Sequence, residues 1–345
     1  SSTAHEANFR EDAAWASGAL AAVATALDLA AELLTAESAE SSSIEGVSLD
    51  RGSVQASIRA GLGLQERARA TPAERGTAEM TLAVYRSFDQ PLAHEMMAAW
   101  HASLMEPWLP QNQCGVYRSH REPMQILSGP EGRQKLHYEA VPGPRVKSET
   151  ERFVQWFNRS QAGETGALAR SAIAHLWFEC IHPFEDGNGR IGRAISDKAL
   201  SQALGRPSLV LLSEHLAAER SEYYARLEEA SKSLDVQRWV DWFASAVVQA
   251  QQRTIGRIRF HLPKTKTFDR LSGRLNERQE RALARVLRDG PNAFAGGLSA
   301  GNYQKITGAS PATAQRDLAH LVEIGAVRRT GRLKGTRYWP ILEDL

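Results

Sequence analysis

Apolar residues recur at helical spacing in Thr77 to Phe88, Leu92 to Leu104, Ser148 to Asn158, Ala167 to Cys180, Arg190 to Leu204, Glu219 to Lys232 and Val236 to Ile255. A period near 3.6 over so many windows predicts a predominantly helical chain as far as residue 255. Ala14 to Ala36 is rich in Ala and Leu with acidic punctuation, which predicts a long helix. Ser41, Ser42 and Ser43 then form a polar break, after which a short helix is expected at Ile44-Glu45-Gly46. The exception is Gly115 to Val146. There Met124 to Leu127 and Lys135 to Glu139 alternate on either side of Ser128-Gly129-Pro130-Glu131-Gly132, the pattern of a β-hairpin.

Gln251 to Gly273 lacks clean periodicity and contains Pro263 and several Lys and Arg, so a linker with one leftover helical end is expected there. The pattern then changes. Asn276 to Asp289 reads as a helix closed by Gly290, and Ser299 to Thr307 as a short one closed by Gly308. A third helix opens at Ser310-Pro311 and stops at Gly325, using Ser as cap and Pro at the first helical position. Val327 to Thr330 and Thr336 to Trp339 read as two strands. Three helices and a basic hairpin predict a winged helix-turn-helix.

Length and charge sharpen this division. A chain of 345 residues exceeds one ordinary core, so two or more domains are expected. Hydrophobic residues at 42% and charged residues at 24% exclude a disordered or fibrous protein. Cys114 and Cys180 are too few for a Cys-based zinc site or a disulfide scaffold, which favours a reducing, cytoplasmic setting. Asp28 and Glu32 interrupt the Ala-rich stretch and no strongly basic segment precedes it, so it reads as neither a membrane span nor a signal peptide. The net charge of +2 hides an asymmetry: from Lys264 onward there are 15 Lys and Arg against 8 Asp and Glu. The two parts therefore face different partners.

The chemistry is concentrated in His182-Pro183-Phe184-Glu185-Asp186-Gly187-Asn188-Gly189-Arg190-Ile191-Gly192-Arg193, between two helical patterns. The Gly-Asn-Gly run permits a tight turn that exposes successive N–H groups. Such a turn feeding a helix N-terminus is an anion site. Arg190 and Arg193, three apart, project from one helix face, and two guanidinium forks beside an anion nest suit a polyphosphate. Asp186 offers a hard oxygen ligand for Mg²⁺ bridging two phosphates. His182 at the preceding helix end could accept a proton from an attacking hydroxyl.

This run resembles the Fic signature H-x-F-x-D/E-G-N-G-R-x-x-R at all eight specified positions of twelve. The upstream helix Ala174 to Phe178, the hairpin before it and Arg220-Ser221-Glu222-Tyr223-Tyr224 are also Fic-like, so the resemblance covers roughly residues 75 to 255. It implies an all-α core with a β-hairpin flap, divided as an N-terminal region 1–70, a catalytic core 71–255, a linker 256–275 and a winged helix 276–345. It also implies transfer of AMP from ATP to a Ser, Thr or Tyr of a target protein, or of the chain itself. By similarity His182 is the general base, Phe184 anchors the loop and Asp186 binds Mg²⁺. Gly187, Asn188, Gly189 and Gly192 belong to the nucleotide-binding run, with Arg190 on the β-phosphate and Arg193 on the γ-phosphate. Tyr223 and Tyr224 line the base pocket, one of them turned to the core. The strand Leu136, His137, Tyr138 and Glu139 is similar to the family's flap, which pairs with a target segment.

Ser41-Ser42-Ser43-Ile44-Glu45-Gly46 resembles the inhibitory motif S/T-x-x-x-E-G/N of self-inhibited Fic proteins. That implies Glu45 opposite Arg193, blocking the γ-phosphate site, with Ser41 on the same helix. AMP removal by the same site, transfer of a different phosphate-containing group and a nucleotide-sensing DNA-binding regulator are the alternatives. His175 reads as a packing residue, because no ligand set surrounds it. For the basic winged helix, DNA and protein docking both stay open: the third helix carries Asp317 and Glu323 beside Arg316. A homodimer is also left open.

Overall fold

A computed structural model describes residues 5–13, 26–66, 69–122, 124–128, 135–160, 165–233, 235–287 and 296–342. The chain divides into two units, Ser1–Thr254 and Ile255–Leu345. Among the described residues no helix is long and apolar enough to cross a membrane. The fold is all-α with small antiparallel hairpins, as its periodicity predicts.

The first unit is built around two antiparallel neighbours, α6 (Ala167–Ile181) and α7 (Asn188–Leu204). The motif loop joins them. Before them come α1 (Ala26–Ile44), α2 (Arg51–Gly61), α3 (Pro72–Arg86), α4 (His94–Met105), the hairpin β1 (Gln125–Ser128) and β2 (Lys135–Glu139), and α5 (Gly143–Arg159). After them come α8 (Leu212–Ala218), α9 (Arg220–Ser231) and the first half of α10 (Gln237–Leu271), whose residues from Ile255 onward belong to the second unit. One apolar core gathers Trp100, Phe153, Phe157, Phe178, Phe184, Ile191 and Ile195 around the motif. A second gathers Ile44, Leu176, Tyr223, Trp239 and Phe243 on the other side of α6. Ala31, Leu34, Val54, Ile58, Ala78 and Leu82 clamp α1, α2 and α3 together, and this clamp fixes the course of α1 towards the motif.

Local chemistry explains the ends. Asp50 caps α2 by accepting from the Ser53 N–H at 2.8 Å, and Thr71 with Glu74 forms a capping box on α3, with Pro72 at the first helical position. Helix α6 lacks a cap of its own. The Glu6 carboxylate, from the helical segment 5–13, takes the Ala167 and Leu168 N–H groups at 2.9 and 3.1 Å instead.

Two expectations need correction. The polar break at Ser41 to Ser43 is the last turn of α1, which continues to Ile44. Its hydroxyls are satisfied without leaving the helix: Ser42 Oγ donates to the Ser38 carbonyl at 3.2 Å, and Ser41 Oγ accepts from Arg193. Residues 256–271, expected as linker, are the C-terminal part of α10, which carries Pro263 inside it. Pro removes one intrahelical bond but need not end a long helix. Residues 14–25 of the predicted Ala-rich helix and the hairpin tip 129–134 lie outside the described residues.

The second unit contains α11 (Glu277–Val286), α12 (Ala300–Thr307) and α13 (Pro311–Glu323), followed by the hairpin β3 (Val327–Thr330) and β4 (Arg337–Pro340). Its core joins Leu271, Leu283, Val286, Tyr303, Leu318, Leu321 and Val327. Ser310 caps α13 as predicted, accepting from the Thr313 N–H at 3.3 Å.

Candidate active site

The motif loop begins where α6 stops. His182 sits at the helix end with φ 49°, a left-handed conformation unusual for a residue with a side chain. Arg118 holds that turn. Its Nε donates to the His182 carbonyl at 2.7 Å and its Nη2 to the Ile181 carbonyl at 3.0 Å and the Val141 carbonyl, while its backbone N–H reaches the Pro183 carbonyl at 2.9 Å. This clamp offsets the strain of the turn. Nothing in the sequence around Arg118 signals that role.

Downstream, the loop is stapled across itself. Asn188 Oδ1 accepts from the Phe184 N–H at 2.9 Å, and Asn188 Nδ2 returns a bond to the Phe184 carbonyl at 2.8 Å. The Phe184 ring is fully buried and stacks on His101 with centroids 4.1 Å apart, burial worth about 2 kcal/mol. Gly187 takes φ 77° as the cap of α7, and a Cβ there would meet Met105 Sδ at 3.0 Å. Asp186 is exposed and lies 3.8 Å from Arg190, with one oxygen on the Gly187 N–H at 2.5 Å.

His182 keeps its ring near Glu179, one turn back on α6. Its Nδ1 lies 3.6 Å from Glu179 Oε2 and makes no hydrogen bond among the described residues. Burial pushes the Glu179 carboxyl up, but His182, His175 and Arg193 outweigh it and hold Glu179 below the usual carboxylate range. Glu179 therefore places a negative charge beside the imidazole. Gly192 makes the arrangement possible, since a Cβ there would come within 2.5 Å of Glu179 Oε1 and 3.1 Å of His175 Nδ1. The sequence analysis missed Glu179; its position three residues before His182 on one helix face was the available signal.

Arg190 and Arg193 are each 3% exposed. Burial lowers the Arg190 guanidinium, whose Nη2 lies 3.4 Å from Met105 Sδ and whose Nε has no partner among the described residues. Arg193 is fixed by α1: Nε donates to Ser41 Oγ at 2.9 Å, and Nη2 donates to the Ser41 carbonyl at 2.7 Å and to Glu45 Oε1 at 2.8 Å. Burial acts against its charge, but Glu45 leads the neighbours that push Arg193 above its ordinary value. The Glu45 carboxylate lies directly over Gly189, where a Cβ would approach Oε1 to 2.2 Å. Arg193 Nη1 remains an unpartnered buried donor. Two guanidinium nitrogens without partners among the described residues, on a helix that opens at a glycine turn, fit an anionic, polyphosphate-bearing ligand.

The tyrosine pair separates. Tyr223 is buried and its hydroxyl meets His175 Nε2 at 2.9 Å, so it belongs to the core rather than to a base pocket. His175 is buried in packing contacts with Tyr223, Trp239 and Phe243, and burial lowers its pKa. Tyr224 is 39% exposed, lies beneath the Arg220 guanidinium at 5.7 Å, and reaches the Ile44 carbonyl beside Glu45 at 3.5 Å. In the hairpin, Leu136 pairs with Leu127 and Tyr138 with Ile126, across a bulge. For Leu136 and His137 only the backbone is described. Tyr138 turns inward and donates its hydroxyl to the Cys180 carbonyl, two residues before His182, whereas Glu139 is exposed. No described residues form a group of three or more His, Cys, Asp or Glu able to hold a metal. Asp186 offers an exposed carboxylate beside the Gly187 turn, a hard oxygen donor of the kind that Mg²⁺ takes.

Residues 91–200 match the Fic/DOC family. This chain carries a Fic domain. Residues 3–64, which contain α1, match a domain of unknown function known as DUF4172. The fold is similar to that of a Fic family protein from Desulfovibrio desulfuricans, with a TM-score of 0.58 at 21% identity over 99% of this chain and 97% of that one. It is also similar to a Fic domain containing signaling protein from Bacteroides thetaiotaomicron, with a TM-score of 0.53 at 15% identity over 73% and 96%. In sequence, the protein adenylyltransferase of Caenorhabditis elegans is 32% identical over 111 residues, 32% of this chain and 21% of that protein. The protein adenylyltransferase of Drosophila mojavensis is 33% identical over 104 residues, 30% of this chain and 20% of that protein. The Fic chain thus spans about a fifth of the length of these curated relatives.

Proposed function

We propose that this Fic protein is a self-inhibited protein adenylyltransferase, moving AMP from ATP to a hydroxyl of a target protein or of itself. The observation that carries the reading is the convergence of His182, the Gly187 to Gly189 turn and two buried arginines with unpartnered nitrogens on one helix N-terminus. The ATP phosphates lie along the turn, with Arg190 and Arg193 as forks for the outer two. Asp186 would hold Mg²⁺, which when bound would neutralise phosphate charge. His182 takes the proton of the incoming hydroxyl, and Glu179 orients the imidazole and stabilises its protonated form. The hydroxyl oxygen then bonds to the α-phosphorus as the bond to pyrophosphate breaks. The free edge of β2 receives the target segment by strand addition, and Tyr138 ties that strand to the end of α6.

In the resting state Glu45 occupies the fork of Arg193 that a γ-phosphate needs, so ATP binds without reaching the reactive pose. One observation favours a second activity of the same site. Arg193 bonds Oε1 of Glu45, and among the described residues Oε2 has no hydrogen-bond partner, which leaves it to orient a water for AMP removal. The test of the main reading is incubation with Mg²⁺ and ATP labelled at the α- or the γ-phosphate, followed by protein mass. Label from the α-position with a gain of one AMP supports it. Label from the γ-position alone indicates a kinase, and no label in any variant refutes transfer.

A further inference from the structure

In the second unit, the surface of α13 differs from what its sequence suggests. Asp317, an obstacle to any polyanion on the sequence alone, is 6% exposed and faces inward. There it accepts from Arg278 Nε at 2.9 Å, from the Tyr303 hydroxyl at 3.0 Å and from Asn276 Nδ2 at 3.2 Å. The outward positions Ala312, Gln315, Arg316 and Ala319 follow the spacing of a single helix face, and all four are exposed. Small residues on either side of Gln315 and Arg316 allow a groove wall to come close. Gln and Arg are the side chains that read adenine and guanine edges by paired hydrogen bonds, and Ala suits a thymine methyl. The remaining acid on that side, Glu323, lies in the last turn of α13.

The hairpin supplies the rest. Arg328 and Arg329 are adjacent on β3, yet both are exposed, so the hairpin projects into solvent on both faces. Arg332 follows at the turn and is exposed as well. None of these arginines pairs with a carboxylate among the described residues. At the apex, Leu333 is 92% exposed with φ 49°. A bulky apolar side chain held in a left-handed turn and bare to solvent has no packing role in this unit. Apolar tips flanked by arginines are the side chains that enter the minor groove.

We propose that residues 276–342 bind double-stranded DNA as a winged helix, presenting Gln315 and Arg316 of α13 to the major groove and the Arg328, Arg329, Arg332 and Leu333 apex to the neighbouring phosphates and minor groove. The exposed arginines of the hairpin supply the charge that an acidic polymer requires, and the helix face supplies the fit that a protein surface would not need. This surface is separate from the motif residues, so its failure leaves the transferase reading untouched.

The test uses the full chain with a fluorescent duplex of about 30 mixed-sequence base pairs, read by anisotropy from about 50 to 200 mM KCl. Binding should weaken steeply with salt. Arg328→Ala with Arg329→Ala should weaken binding at least about tenfold and flatten the log–log salt slope by about 2. Gln315→Ala with Arg316→Ala should weaken binding and reduce preference among duplex sequences. His182→Ala should bind as the parent does. All these side chains are exposed or lie outside this unit, and unchanged thermal melts of the second unit's variants would exclude misfolding. Absence of duplex binding at the lowest salt, as a protein-docking module would show, overturns the proposal. So does binding that neither double variant alters.

Discussion

The guanidinium of Arg193 donates to the Glu45 carboxylate at 2.8 Å while a second and third bond tie it to Ser41. Two segments that are far apart in sequence are thereby joined at the Fic motif. Ser41 holds the arginine in place and Glu45 neutralises it. These are separable jobs of two residues about one turn apart, Ser41 in the last turn of α1 and Glu45 just past its end.

Separating them is the first prediction. Ser41→Ala removes one of the two Ser41 bonds to Arg193 but leaves the Glu45 carboxylate, so transferase activity should rise only severalfold, about 1 kcal/mol of restraint. Glu45→Gly should raise it far more. Initial rates with α-labelled ATP compare the two, and a larger effect from Ser41→Ala would contradict the assignment.

His182→Ala should cut transfer by at least about 100-fold while ATP affinity, measured by calorimetry, changes little. The imidazole lies at the end of α6, whereas the phosphate forks are on α7. Equal loss of binding and turnover would show that His182 shapes the nucleotide site rather than removing a proton.

Glu179→Gln keeps the shape of the buried side chain and removes its charge. Transfer should fall about 10- to 100-fold, in line with the loss of a carboxylate that orients a catalytic histidine. ATP binding should be preserved. Glu179→Asp, which restores the charge one methylene short, should recover part of the rate, an outcome that a purely structural role would not produce.

Stability should depend on pH through a pair of acids beneath the arginines. A cavity of about 50 Å³ is lined by Glu37, Ser41, Arg190, Arg193, Asp197 and Ser213. Burial pushes Glu37 from 4.5 up to about 8, although Ser213 donates its N–H to that carboxylate at 2.8 Å, and burial pushes Asp197 up to about 7. The folded state therefore holds protons that the unfolded chain releases, and this contribution to stability is lost as pH rises from the ordinary carboxylate range to about 8. Melting temperatures at about pH 5.5 and 8.5 should fall with pH, and Glu37→Gln with Asp197→Asn should flatten the dependence. A parent chain whose stability does not decline over that interval would refute it.

Much of this was legible in the sequence because the features are local. Helical periodicity, the Ser310-Pro311 start and the run from His182 to Arg193 depend on neighbours within a few residues. Glu45 was legible through its six-residue motif. Contacts across the chain were not: Arg118 at the His182 turn is separated from it by 64 residues, and Glu6 capping α6 by more than 160. Tyr223 and Tyr224 show the same limit, because adjacent helical residues face different ways and only packing decides which reaches His175. Asp317 reads as an exposed acid until Arg278 and Tyr303 are seen closing on it. The Ser41 to Ser43 turn misled because serines favour helix ends, yet here hydroxyl bonds within and beyond α1 keep them helical.

Restraint of an otherwise competent transferase site by Glu45 is the point on which the proposed function turns. The most direct measurement is the incorporation of label from α-labelled ATP by the parent, Glu45→Gly and Glu45→Gly with His182→Ala, with Mg²⁺ present. Restraint by Glu45 should give weak labelling of the parent, at least about tenfold more in Glu45→Gly, and none when His182 is also replaced. Labelling that is equal in the parent and Glu45→Gly, or that survives the loss of His182, would contradict it.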